Sequence, residues 1–168
     1  MNDLTLETWL STTEIQCQPS KPFLIIMCGL SGSEKSTASW FLVEQYKAAW
    51  IRSDIERKRL FGLEPGQASD NVRENIYSPE TTIATFHVMR SLSDRLLAAE
   101  YRVIIDSCVL KISERKEFHR TGQKHQLAGM TIYCHAELNT LIERVLQRQH
   151  LGCAPPEATA EQVHQQVS

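Results

Sequence analysis

An open α/β fold, with a parallel sheet covered by helices on both faces, is what this sequence predicts. Three observations carry that prediction. Apolar runs suited to buried strands, at 23–28, 48–52, 101–106 and 130–134, alternate with segments of helical character. The first run empties into a turn of small residues, Gly29-Leu30-Ser31-Gly32-Ser33, directly ahead of a helix. Acids stand at or just past the ends of two later runs, Asp54 and Asp106. Alternation of this kind places a crossover helix on one face or the other after each strand.

Residues 1–22 read as an arm or linker: Leu4, Leu6, Trp9 and Leu10 suit one amphipathic turn before Gln-Pro-Ser-Lys-Pro breaks it. The domain proper spans 23–168. Its first strand, Phe23 to Cys28, leads into Gly29, Ser31, Gly32, Ser33, Glu34, Lys35, Ser36 and Thr37, and Lys35 to Gln45 suits a helix with Trp40, Phe41 and Val43 as apolar contacts. Strand, glycine-rich turn and Lys-Ser-Thr at a helix start are the parts of a phosphate loop of the Walker A type. Its backbone N–H groups wrap phosphates, its lysine reaches the outer oxygens and its hydroxyl meets Mg²⁺. The glycine expected just before the lysine is Glu34. A carboxylate about 5 Å from a phosphate charge costs roughly 3 kcal/mol at an effective dielectric of about 20. A β-carbon is also excluded there if the backbone needs a glycine-only conformation. The motif is therefore degenerate, and impaired nucleotide binding is expected.

Ala48 to Arg52 reads as a short second strand, and Ile55 to Phe61 starts a basic helix for which Ser53 or Asp54 is a candidate N-cap. The alternative for Asp54 is catalytic, because ligands of open α/β sheets lie beyond the carboxyl ends of strands. The polar stretch from Gly62 to Ser78 is long enough to be a functional loop. Ser78-Pro79 suits the N-cap and first position of a long helix, whose core face is set by Ile83, Phe86, Met89, Leu92, Leu96 and Leu97. A third strand, Tyr101 to Asp106, ends on an acid able to hold Mg²⁺ through water. A helix over Ser113 to Leu127, a strand over Met130 to Cys134 and a helix over Glu137 to His150 follow, the last carrying Arg144 and Arg148 on one face. Breakers stand at 152–156, and 160–167 suits the start of one more helix.

A length of 168 residues allows one hydrophobic core without disulfide or metal support. The net charge of −2 gives no general footprint for nucleic acid. The Arg57-Lys58-Arg59 cluster reads as a solvated helix face, with a 5′-hydroxyl nucleic-acid kinase as the competing reading. Five cysteines without a C-x-x-C pair (Cys17, Cys28, Cys108, Cys134 and Cys153) read as free thiols in a reducing compartment. With no signal pattern and no membrane-length apolar run, the expected location is cytoplasmic.

Together the phosphate-loop residues, Arg52-Ser53-Asp54-Ile55-Glu56-Arg57-Lys58, Ile76-Tyr77-Ser78-Pro79-Glu80, Val103-Ile104-Ile105-Asp106 and Glu143-Arg144 resemble the AAA-type phosphate-loop kinases. These are small-molecule kinase-like domains, often fused to an aminoglycoside-phosphotransferase-like domain and similar to chloramphenicol phosphotransferases, zeta toxins and polynucleotide kinases. The resemblance implies a three-layer phosphate-loop NTPase fold of adenylate-kinase-like topology, with strand order 2-3-1-4 and the usual fifth strand missing. The fourth strand is then an edge that invites self-association. It further implies ATP and Mg²⁺, and a hydroxyl-bearing small molecule as acceptor. Lys35 would stabilise transferred-phosphate charge, Ser36 and Asp106 would serve the metal, and Thr37 would contact the α-phosphate. Asp54 would orient or deprotonate the acceptor beside Arg57, and Arg144 and Arg148 look like lid arginines. A non-catalytic module, or a fragment of a longer fused protein, is the other reading open at this point.

Overall fold

The computed structural model describes residues 21–64 and 76–150, the side chains of residues 148 and 149 excepted. The amphipathic turn at the start of the chain, Cys17, Cys153, much of the polar loop and the segment where a last helix was expected lie outside the described residues.

Four strands form one sheet: β1 (Leu24–Cys28), β2 (Ala49–Arg52), β3 (Val103–Asp106) and β4 (Met130–Tyr133). Every pairing is parallel and the order is β2-β3-β1-β4, as the resemblance implies. The helices are α1 (Lys35–Tyr46), α2 (Ser53–Leu60), α3 (Pro79–Ala98), α4 (Ile112–Lys124) and α5 (Leu138–His150). β1 and β3 are buried along their whole length, which is why they read as continuous apolar runs rather than alternating ones.

Strand periodicity distributes those side chains between two cores. Leu24, Ile26, Val103 and Ile105 pack with Phe86, Met89 and Leu97 of α3 and Phe118 of α4. Ile25, Met27 and Ile104 face the other way, onto Ala38 and Leu42 of α1. The three layers follow directly. Trp40 is half exposed, so the buried stripe of α1 is Ala38, Ser39 and Leu42 and not the Trp40 and Phe41 expected from apolar content. Ile83 is likewise 68% exposed, at the outer side of α3.

Helix ends account for most boundary differences. Lys47, Glu100 and Gln126 adopt the left-handed conformation without being glycine. The next N–H then returns to the carbonyl five residues back: Ala48 to Val43, Tyr101 to Leu96 and Leu127 to Gly122. This closure stops α4 at Lys124 rather than Leu127. Among the described helix ends, α2 closes in the same way on a glycine, with Gly62 left-handed and Leu63 returning to Lys58. At the other end of α3, Ser78 Oγ accepts from Thr81 N at 3.1 Å, with Pro79 in the first turn. Among the described residues β4 is an edge strand, with Tyr133 60% exposed.

The ring of Phe118 is fully buried and meets Phe86 edge to face at 6.0 Å. Phe118→Ala should therefore lower unfolding free energy by about 3–5 kcal/mol in denaturant titration. Ile83→Ala, at an exposed site on the same helical layer, should stay within about 0.5 kcal/mol.

Candidate active site

Crossover loops leave a crevice at the carboxyl edge of an open parallel sheet, and here that edge carries the predicted residues. A cleft of about 300 Å³ is bounded on one side by Ser31, Gly32, Glu34, Lys35, Ser36 and Thr37. Ser53 and Asp54, from the start of α2, and Asp106, Ser107 and Cys108, from the end of β3, close the other side.

The loop wraps tightly because two glycines let it. Gly29 has φ 147° and Gly32 φ 84°, and a β-carbon on either would meet backbone, at 2.3 Å from Cys134 O or 2.6 Å from Leu141 O. Gly29 and Ser33 are not among the residues facing the cleft; they shape the loop from behind. Three donors converge on one carbonyl, that of Leu30: Ser33 N at 3.2 Å, Ser33 Oγ at 2.7 Å and Lys35 Nζ at 2.8 Å. Lys35 is thereby held along the loop and 8% exposed. The Leu30 carbonyl takes one of the three ammonium donors, which leaves two for an anion in the cleft.

Glu34 has φ 62° and ψ 24°, the left-handed helical region. That region is open to residues with a β-carbon at a cost of about 1–2 kcal/mol, so the glycine-only conformation envisaged from the sequence does not apply. Its Oε2 accepts from Thr37 Oγ1 at 2.8 Å, which ties the carboxylate to a hydroxyl of the same cleft.

Asp106 is 5% exposed, and its Oδ2 is buried with no hydrogen-bond partner. Burial pushes its carboxyl above the ordinary range; a hydrogen bond from Ser36 and the charges of Lys35 and Arg52 pull it back, and Asp54 adds to the rise. An orphaned carboxylate oxygen beside a hydroxyl suits a hydrated divalent cation. Among the described residues no three His, Cys, Asp or Glu side chains cluster to hold a metal alone, so further oxygens would have to come from a ligand.

Asp54 sits inside the first turn of α2, whose N-cap position is Arg52 with no side-chain cap bond. The capping reading of Ser53 or Asp54 is thus corrected: the helix begins one residue after the strand ends. Asp54 Oδ2 accepts from Arg52 Nη2 at 2.8 Å. Arg57 and Lys58 are buried while Arg59 is exposed, so of the basic cluster only Arg59 lies on a solvated face. Arg57 Nη1 donates to Ile76 O and Thr82 Oγ1 and its guanidinium lies over the Tyr77 ring, fastening α2 to the start of α3 instead of facing the cleft. Arg144 reaches the loop from α5, donating to Gly32 O at 3.3 Å. The side chain of Arg148 lies outside the described residues. Cys28 is buried and donates to Val109 O at 2.9 Å, and burial raises its thiol; Cys108 and Cys134 are also free.

Residues 24–168 match a family described as AAA domain. The chain belongs to that family. No curated protein matches the sequence. Solved structures that share the fold include a gluconokinase from Sinorhizobium meliloti 1021, at 19% identity and TM-score 0.57, covering 87% of this chain and 73% of that one. A second is the APS kinase CysC of Mycobacterium tuberculosis in complex with AMPPNP and APS, at 14% identity and TM-score 0.60, covering 79% and 73%. A third is a chain of the Pnkp1/Rnl/Hen1 RNA repair complex, at 18% identity and TM-score 0.62, covering 93% of this chain and 47% of that one. At these identities the likeness establishes a phosphate-loop kinase fold for this AAA domain, whose described helices include none long and apolar enough to cross a membrane.

The raised Asp106 carboxyl sets a pH dependence. Below its ordinary value of 3.8 the group is protonated folded or unfolded and costs nothing; as pH rises past that value toward the raised folded one, the native state loses stability. Asp106→Asn should consequently unfold at higher denaturant than the parent chain at neutral pH without added nucleotide, and this gain should vanish in acid.

Proposed function

We propose that this AAA domain is an ATP-dependent phosphotransferase acting on a hydroxyl group of a small molecule. The observation that carries the proposal is the meeting of Lys35, Ser36, Asp54 and Asp106 in one cleft at the carboxyl ends of β1, β2 and β3. Phosphoryl transfer asks for little else, since catalysis there is mainly positioning and charge stabilisation.

In this reading the backbone N–H groups of the loop cradle the phosphates, and Lys35 turns its remaining ammonium donors to the oxygens of the transferred group. Ser36 and Asp106 would hold Mg²⁺, which neutralises phosphate charge when bound. Asp54 accepts the proton of the acceptor hydroxyl as its oxygen bonds to the γ-phosphorus and the bond to the ADP oxygen breaks. Thr37 contacts the α-phosphate once its hydroxyl is free of Glu34, and Arg144 approaches the triphosphate from α5. A small acceptor is favoured over a nucleic-acid end because Arg57 and Lys58 are enclosed by protein and the net charge is negative.

Asp54→Asn should lower phosphoryl transfer from Mg-ATP across a panel of sugars and other polyols by at least about a hundredfold. Mg-ATP affinity and melting temperature should barely change; equal turnover in the two proteins would contradict the role. If the purified chain neither binds nor turns over Mg-ATP, the whole reading fails.

Glu34→Gly should tighten Mg-ATP binding by about tenfold, equivalent to roughly 1.4 kcal/mol, in calorimetric titration. Charge repulsion supplies that gain, because the loop already adopts its left-handed conformation with a β-carbon at Glu34, so the gain should shrink as salt rises. Equal affinities would show that Glu34 does not oppose the triphosphate.

A further inference from the structure

We infer that Arg52 is the positioning residue for Asp54, holding its carboxylate in the cleft through a guanidinium that is itself fixed on the Trp50 ring. The inference rests on the phosphotransferase reading for its consequence, though not for its geometry.

Residues two apart on a strand share a face, so Trp50 and Arg52 project to the same side of β2. The guanidinium carbon of Arg52 lies 4.9 Å from the centroid of the Trp50 ring. A planar, weakly hydrated cation resting on an aromatic face loses much of its rotational freedom, which a lysine ammonium in that place would retain. Arg52 Nε is buried, and Nη2 extends to Asp54 Oδ2 at 2.8 Å. The strand-to-helix junction makes this short span feasible. Arg52 is extended, with φ −110° and ψ 127°, and the helix starts at the next residue, which brings residues 52 and 54 to the same corner.

Register adds a second contribution. Arg52 pairs across the sheet with Asp106, so the residue that bonds Asp54 stands opposite the other acid of the cleft. It favours the charged form of Asp106 and engages Asp54 directly. Without it, two carboxylates and the half-buried Glu34 would share the cleft opposite Lys35 alone, and Asp54 would be free to turn to water.

The pair is about one-third exposed, with side-chain accessibilities of 34% and 39%, so its contribution to global stability is small. What it supplies is orientation. A misplacement of about 1 Å in a group that must meet a reacting hydroxyl costs on the order of a hundredfold in rate.

Scalar couplings about the Cα–Cβ bond of Asp54, measured by NMR, read this directly. The parent chain should show one rotamer and Arg52→Met a mixture, with melting temperatures within about 3 °C of each other. Arg52→Lys, which keeps charge but not the flat fork, should also show a mixture, and it carries the measurement if Arg52→Met does not fold. With Mg-ATP and water as acceptor, phosphate release should fall at least about tenfold in kcat for both variants while KM for Mg-ATP stays within about threefold. A single Asp54 rotamer in either variant, or full recovery of kcat by Arg52→Lys, overturns the inference. If the parent chain releases no phosphate to water, the rotamer result alone decides the role of Arg52, and the phosphotransferase reading is decided separately by Mg-ATP binding and the acceptor panel.

Discussion

The close approach of the phosphate loop to two backbone carbonyls, Cys134 O behind Gly29 and Leu141 O behind Gly32, is the constraint on which the rest of this molecule depends. The loop can press against the end of β4 and the start of α5 only where it has no side chain. Pressed there, it turns sharply enough for Ser33 and Lys35 to converge on the Leu30 carbonyl and for α1 to begin at Lys35. The bond from Cys134 N to Cys28 O, 2.7 Å long, extends the β1–β4 ladder to the level of the loop and holds that wall in place. Loop, sheet and α5 are one packed unit, and Arg144 donating to Gly32 O is its outermost tie.

From that unit the charges of the site are set by register. The β1–β3 pairing puts Met27 opposite Asp106, and the β2–β3 pairing puts Arg52 opposite the same residue. Two cations, Lys35 and Arg52, and two acids, Asp54 and Asp106, therefore meet at one edge of a sheet whose body is apolar. Burial makes the Asp106 charge costly while its second oxygen finds no protein partner, an arrangement that favours function over stability. Glu34 adds a further carboxylate, but it is bonded to Thr37 and lies in a backbone region that a side chain tolerates.

Much of this was legible in the sequence. Period and composition place the four strands, because buried parallel strands read as unbroken apolar runs, and Ser78-Pro79 marks the start of α3 by its own chemistry. The strand order came from the resemblance, since no periodicity distinguishes 2-3-1-4 from other parallel orders. Helix ends were less legible: Lys47, Glu100 and Gln126 take a conformation for which glycine is the usual signal. The burial of Arg57 was hidden because composition counts charges without seeing the Ile76 carbonyl and the Tyr77 ring that receive it. Trp40 misled for the converse reason, an apolar side chain on the outer face of α1. Arg52 had a signal, its spacing of two from Trp50 on a strand that ends there, but the link to Asp54 needed the helix to begin at once.

On the proposed reading, this cleft receives the phosphates of a nucleotide at the Lys35 ammonium, beside the Leu30 carbonyl that already holds it. The most direct measurement is a titration of the isotopically labelled chain with Mg-AMPPNP, followed by NMR at the Leu30 carbonyl, the Lys35 ammonium and the amides of residues 31–36. The account predicts saturable shifts at all of them with one common dissociation constant, accompanied by the Asp106 carboxylate only when Mg²⁺ is present. Saturation elsewhere on the molecule with the Leu30 and Lys35 signals unmoved would contradict it.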